Sequence, residues 1–287
     1  MKTTTLLRKY VDAPEIVMIP GVPDALGARL AEQAGFKAVF LSGYAASASL
    51  LGAPDVGLLT MTEMAEYARR IVDAVRIPVF ADGDNGHGNA TNVMRTMRQF
   101  ERAGVAAIFF EDRASPKRCG HMSGKQVIPT NEMAAKIKAA VDARVDQDLL
   151  IMARTDAVGI NGIDDAIERM YRYLEAGANL SFVEAPTSVE EMRRITREIP
   201  APNMANVLAG GKTPILTAPE LQDLGFSIAA YPTLLTYAMA RSMQRALAHL
   251  QSTGTTAGLA ETMEFEEFNA IIGLNELRRK ETELYAG

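Results

Sequence analysis

The sequence predicts an α/β protein: a (β/α)8 barrel of the TIM type with a helical extension at its C-terminal end. Three observations predict it. Short β-rich apolar runs alternate with longer segments of helical period along most of the 287 residues. The runs are apolar on both faces, as strands of a parallel sheet covered on both sides must be. Eight such units fit into roughly 230 residues, the size of one barrel. A doubly wound open sheet is the alternative, but no G-x-G-x-x-G follows the first run.

In chain order the strand runs are IVMI (16–19), AVFLS (38–42), PVFAD (78–82), AIFFE (107–111), LLIMAR (149–154), LSFVE (180–184), NMANV (203–207) and SIAAY (227–231). Between them lie amphipathic stretches such as PDALGARLAEQAGF, MTEMAEYARRIVDAV, ATNVMRTMRQFERAG and DDAIERMYRYLEAG. Several end in Gly, the residue that closes helices in the left-handed conformation. The expected organisation is a barrel domain over 1–245 and a helical extension over 246–287. The extension carries Met263, Phe265, Phe268, Ile271, Ile272 and Leu274, an apolar face too large for a free tail. It either caps its own barrel or packs on a neighbouring subunit.

Composition narrows the class. A net charge of −5 lacks the basic footprint of a nucleic-acid binder. An apolar fraction of 48% with 23% charged residues is that of an ordinary soluble domain. No apolar run is long enough for a membrane span and the N-terminal stretch has no signal-peptide core. One cysteine cannot form an internal disulfide, which fits a reducing, cytoplasmic setting.

In a barrel, active-site groups stand at the C-terminal ends of strands. Here those ends read Ser42-Gly43-Tyr44, Asp82 with Asp84, Glu111-Asp112, Arg154, Glu184, Asn206 and Tyr231. Several acids at one mouth repel one another unless a cation sits among them. Hard oxygen donors select Mg2+, with Mn2+ as the alternative. Asp82 is the better direct ligand, and Asp84, Glu111 and Asp55 could hold its waters; D-G-D-N-G read alone is also a turn sequence. His87, among glycines, reads as a loop-packing group. Arg154 is expected to pair with Glu184 or to take a substrate carboxylate with its planar fork. G-G-K at 210–212 lacks the rest of a phosphate loop.

The lone thiol lies in E-D-R-A-S-P-K-R-C-G-H-M-S-G-K, residues 111–125. Cys119 follows Lys117 and Arg118 and precedes His121, and such cations bring a thiol's pKa toward neutrality. A nucleophile, a metal ligand and a general acid are all open, although zinc would want further Cys or His nearby.

Together, S-G-Y, D-G-D-N-G-H-G, E-D-x-x-x-P-K-R-C-G-H, A-R-T-D, F-V-E-A-P and N-x-x-x-G-G-K-T-P resemble the isocitrate lyase/phosphoenolpyruvate mutase superfamily over nearly the whole chain. The resemblance implies an Mg2+-dependent barrel for α-oxo or α-hydroxy carboxylates, and homotetramers with the C-terminal helices against a partner subunit. It implies that Asp82 holds the metal directly, and Asp84 and Glu111 through water. Ser42, Gly43 and Tyr44 would receive the oxo or hydroxy end of the substrate. Arg154 would clamp a carboxylate, with Gly120, His121, Glu184 and Asn206 around it. Lys117 and Cys119 would be the catalytic pair, Cys119 the proton donor. Cys119 speaks against a phosphonate-forming mutase. Met122 and the Asn206–Gly211 stretch depart from the methylisocitrate-cleaving pattern and look more like the malate-type lyases that act on 2,3-dimethylmalate. Pro232 stands where oxaloacetate hydrolases typically have Ser, so hydrolysis ranks lower.

Overall fold

A computed structural model describes residues 1–115, 126–260 and 262–286. The chain divides into two compact units, Met1–Thr236 and Tyr237–Gly287. In the first, eight strands follow the predicted runs to within one residue at either end: β1 (Val17–Pro20), β2 (Val39–Leu41), β3 (Val79–Asp82), β4 (Ala107–Glu111), β5 (Leu150–Thr155), β6 (Leu180–Val183), β7 (Asn203–Asn206) and β8 (Ile228–Tyr231). They pair in parallel in the order β1-β8-β7-β6-β5-β4-β3-β2. A single bridge between Gly21 and Phe40 brings β1 to β2 and completes the (β/α)8 barrel. Gly21 is required there: a Cβ would lie 2.3 Å from the carbonyl oxygen of Pro232.

The helices of this unit are α1 (Thr3–Val11), α2 (Ala25–Gln33), α3 (Gly43–Leu51), α4 (Met61–Ala74), α5 (Ala90–Ala103), α6 (Thr130–Ala143), α7 (Val158–Asn161), α8 (Ile163–Glu175), α9 (Val189–Glu198) and α10 (Ala218–Asp223). α11 (Leu234–Thr253) starts in the first unit and runs into the second, which also holds α12 (Phe265–Ile271) and α13 (Leu274–Tyr285). Among the described residues, no helix is long and apolar enough to cross a membrane.

Side chains alternate along a strand, so each strand divides its apolar residues between two cores. Val39, Leu41, Val79, Ala81, Ile108, Phe110, Ile151 and Ala153 pack with the helices in the outer layer. Their alternates, Phe40, Phe80, Phe109, Met152, Phe182 and Met204, fill the barrel itself. Phe40 and Phe80 meet edge to face with centroids 6.0 Å apart, as do Phe109 and Phe182 at 6.0 Å. Leu7 and Val11 of α1 join this inner cluster. Thr4 and Thr5 donate to Asp146 and Asp148, just ahead of β5. α1 thus closes the N-terminal end of the barrel and leaves the C-terminal end for polar groups.

Candidate active site

The same alternation builds the site. Two residues beyond each barrel-filling side chain comes a polar one on the same face: Ser42 after Phe40, Asp82 after Phe80, Glu111 after Phe109, Arg154 after Met152, Glu184 after Phe182 and Asn206 after Met204. Parallel register aligns them at one rim, with Glu111 directly opposite Arg154. The rim is buried: Asp82 is 4% exposed, Glu111 0%, Arg154 9% and Glu184 2%.

Asp82 is tied down on both oxygens. The Gly43 N–H, at the start of α3, donates to Oδ2 at 2.9 Å, and the Asp84 N–H donates to Oδ1 at 2.9 Å. The positive end of the α3 dipole therefore faces this carboxylate, and Ser42, the N-cap, makes no side-chain capping bond. The loop after β3 turns sharply. Asp84 and His87 both take left-handed backbone angles, φ 50° and 57°, rare for residues with a Cβ. Gly83 passes so close to β4 that a Cβ would stand 2.7 Å from the Phe109 carbonyl oxygen. The His87 ring lies 3.8 Å from the Asp84 carboxylate. Lys136 of α6, 3% exposed, donates to the Asn85 carbonyl at 3.0 Å. Burial lowers the Lys136 pKa against the pull of Glu132 and Glu111.

Arg154 is the hub. Its Nε lies 3.0 Å from Asp156 Oδ2 and 3.4 Å from Glu111 Oε2, and its Nη2 lies 3.0 Å from Glu184 Oε2. The guanidinium also stands over the rings of Phe109 and Phe182, 5.6 and 5.0 Å from their centroids. Asn206 donates to both oxygens of Glu184 at 3.3 and 3.2 Å. Burial works against the charge on Arg154, but Asp156, Glu184 and Glu111 outweigh it and hold its pKa far above the usual value. Burial likewise pushes Asp156 up, and the charges of Arg154 and Arg113 overcome this and keep it below the usual carboxylate range. The expected Arg154–Glu184 pair thus exists, inside a larger cluster.

Two members of that cluster escaped the reading of strand ends. Arg113 is 2% exposed and its Nη2 lies 2.9 Å from Asp156 Oδ1. Arg113 and Asp156 stand two residues past Glu111 and Arg154, so carrying the alternation beyond the strands would have found both. Asp112 has the opposite parity and faces the helices. It accepts from Thr155 Oγ1 at 2.7 Å, the Asp156 N–H at 3.0 Å and the Tyr173 hydroxyl at 2.9 Å, with Arg169 at 3.4 Å. Burial raises its pKa to about 6, although these donors oppose the shift. It locks α8 to the barrel.

Of the predicted site residues, Ser42, Gly43, Asp82, Asp84, Glu111, Arg154, Glu184 and Asn206 belong to this rim and the loops leaving it. Tyr44 is half-buried on the first turn of α3, and Asp55 is buried in the segment joining α3 to α4. Lys117, Cys119, Gly120 and His121 lie outside the described residues.

The donor set suits a hard cation. Both Glu111 oxygens are buried and accept no hydrogen bond among the described residues, a costly arrangement for a carboxylate. Each Asp82 oxygen accepts one amide, leaving lone pairs over. No three His, Cys, Asp or Glu side chains among the described residues close into an all-protein metal cage. Mg2+ does not need one, because it keeps several waters and takes one or two carboxylates directly.

Fold and rim together define a (β/α)8 barrel with an acidic, arginine-bridged C-terminal mouth, the class that handles small polar substrates at its strand ends. The phosphoenolpyruvate phosphomutase family model matches residues 7–251, and the chain belongs to that family. It is 49% identical to 2,3-dimethylmalate lyase of Eubacterium barkeri, over 98% of each protein. It is 45% identical to the chloroplastic carboxyvinyl-carboxyphosphonate phosphorylmutase of Arabidopsis thaliana, covering 94% of this chain and 81% of that protein. It is 41% identical to 2-methylisocitrate lyase of Aeropyrum pernix, covering 97% and 90%. Among solved structures, 2,3-dimethylmalate lyase superposes with a TM-score of 0.94 at 33% identity over 99% of this chain and 96% of that one. Oxaloacetate acetylhydrolase with 3,3-difluorooxalacetate gives 0.93 at 30%, covering 99% and 97%. Phosphonopyruvate hydrolase with oxalate and Mg2+ gives 0.89 at 30%, covering 98% and 99%.

Proposed function

We propose that this chain is an Mg2+-dependent carbon–carbon lyase. It cleaves the C2–C3 bond of a substituted 2-hydroxy dicarboxylate of the 2,3-dimethylmalate kind, giving an oxo acid such as pyruvate and a carboxylate such as propionate. The observation that supports it most is the inward rim itself. Carboxylates, an arginine and an amide converge above an apolar barrel, as a small, doubly charged, oxygen-rich substrate requires. The likeness to 2,3-dimethylmalate lyase over nearly the full length supports the substrate class.

Asp82, with Asp84, Glu111 and Asp55, would hold Mg2+, or Mn2+ in its place. The bound ion would supply positive charge where negative charge develops on oxygen. Ser42 and Gly43 receive the hydroxy end of the substrate, and Arg154 holds a carboxylate beside Glu184 and Asn206, with Gly120 and His121 assigned to contact the same substrate. A base near Tyr44 takes the hydroxyl proton. The C2–O bond then becomes a carbonyl as C2–C3 breaks, and the electron pair moves onto C3 next to its carboxylate. Cys119, its thiol tuned by Lys117, gives its proton to C3. One proton leaves the hydroxyl and one arrives at carbon, so the step balances. The extension packs on a partner subunit in a homotetramer, and the lone cysteine fits the cytoplasm.

A panel of substituted malates, 2-methylisocitrate and oxaloacetate, assayed with Mg2+ and read by mass, tests this. Dialkylmalate cleavage to oxo acid and carboxylate is expected. Turnover confined to 2-methylisocitrate, or hydrolysis of oxaloacetate alone, would replace the substrate assignment.

A further inference from the structure

Two guanidiniums and three carboxylates share one buried cluster at the rim, and their wiring is unequal. Arg154 reaches Asp156, Glu111 and Glu184. Asp156 accepts from both arginines: Arg154 Nε donates to its Oδ2 at 3.0 Å and Arg154 Nη2 to its Oδ1 at 3.3 Å, while Arg113 Nη2 donates to Oδ1 at 2.9 Å. Arg113 Nε also stands 3.9 Å from Glu111 Oε1. The two arginines thus share the same two acids and close a ring, Arg113–Asp156–Arg154–Glu111.

Arg113 is the fixed corner of that ring. Its backbone bridges to Val127, the neighbouring Ala114 N–H donates to the Gln126 carbonyl at 3.0 Å, and the Ile128 N–H donates to the Asp112 carbonyl at 2.8 Å. The side chain is 2% exposed, so it has no room to swing. Yet among the described residues its Nε and Nη1 have no hydrogen-bond partner, which is an expensive way to bury an arginine if neutralising Asp156 were its only task.

We propose that Arg113 is a positioning residue. It pins Asp156 and Glu111, and through them it sets the direction of the Arg154 fork toward the substrate carboxylate. The proposal rests on the reading of Arg154 as the carboxylate clamp. Without Arg113, the Asp156 carboxylate loses its 2.9 Å anchor across the strands, and the Arg154 fork paired with it can shift. A bridge between two acids needs a planar fork; a lysine supplies the same charge at a single point.

The test compares Arg113→Lys and Arg113→Gln with wild type, using steady-state kinetics on the dicarboxylate and crystal structures of all three proteins. Arg113→Lys keeps the cation and the fold. Its KM should rise about tenfold or more, the scale of a clamp misplaced by a fraction of an ångström to an ångström, with kcat changed less. The Arg154 guanidinium should be displaced in its crystal structure, and Arg113→Gln should be worse on both counts. An Arg113→Lys enzyme with wild-type KM and an unmoved Arg154 overturns the proposal, whether or not Arg113→Gln folds. If wild type turns over none of the acids, the functional reading fails, and the position of Arg154 in the Arg113→Lys crystal still decides the role of Arg113.

Discussion

Replacing Asp156 by Ala should destabilise the barrel by about 3–5 kcal/mol, the cost of removing one partner from a buried ion pair. The structure says where the cost falls. Arg154 keeps Glu184 at 3.0 Å and Glu111 at 3.4 Å, so it remains compensated. Among the described residues, Arg113 loses its closest acid and is left with Glu111 at 3.9 Å, while 2% exposed. The penalty is therefore that of stranding one guanidinium. For a unit of this size each kcal/mol moves the melting temperature by about 2–4 °C, so a drop of roughly 6–20 °C follows. Urea unfolding followed by circular dichroism checks it, with the midpoint falling and the slope unchanged. Adding Arg113→Met to Asp156→Ala should recover part of the loss, since the stranded charge leaves with its partner. A loss below about 1 kcal/mol for Asp156→Ala, or no recovery in the double variant, would refute the reasoning that Arg113 depends on Asp156.

Asp82→Asn should abolish Mg2+-dependent turnover, and Mg2+ titration calorimetry should show weakened binding; because both oxygens hold amides, a stability loss of about 1–3 kcal/mol should accompany it. Cys119→Ser should bind substrate nearly as wild type but turn over about 10²–10⁴-fold more slowly, and a wild-type kcat would end the proton-donor role. Asp112 carries a raised pKa of about 6, so its stabilising contribution is present below its unfolded value of 3.8 and is lost as pH rises through about 6. The stability gap between wild type and Asp112→Asn should therefore be about 2 kcal/mol larger at pH 4.5 than at pH 7, measured by urea unfolding at both. Phe265, Phe268 and Ile272 are 76%, 40% and 43% exposed in the single chain, so sedimentation should find an oligomer at micromolar concentration, and Phe265→Asp with Phe268→Asp should shift it toward monomer.

Much of this was legible in the chain. The eight strands follow from short apolar runs, because a strand buried on both faces must be apolar on both faces. The polar residues at their ends were legible for the same reason: Asp82, Glu111, Arg154 and Glu184 interrupt apolar runs where nothing about a strand calls for charge. Assigning Asp112 to the helix layer and Glu111 to the mouth takes one more step, because adjacent residues with the same chemistry are separated only by which way the pleat turns. What only the tertiary structure decided is the wiring. That Arg113 shares Asp156 with Arg154, that Gly43 caps Asp82, and that Lys136 reaches the Asn85 carbonyl are contacts between residues 39 to 51 positions apart. Local pattern cannot encode such pairs. They arise because parallel strands closed into a ring bring the ends of distant segments to one rim, where each buried charge must find its partner.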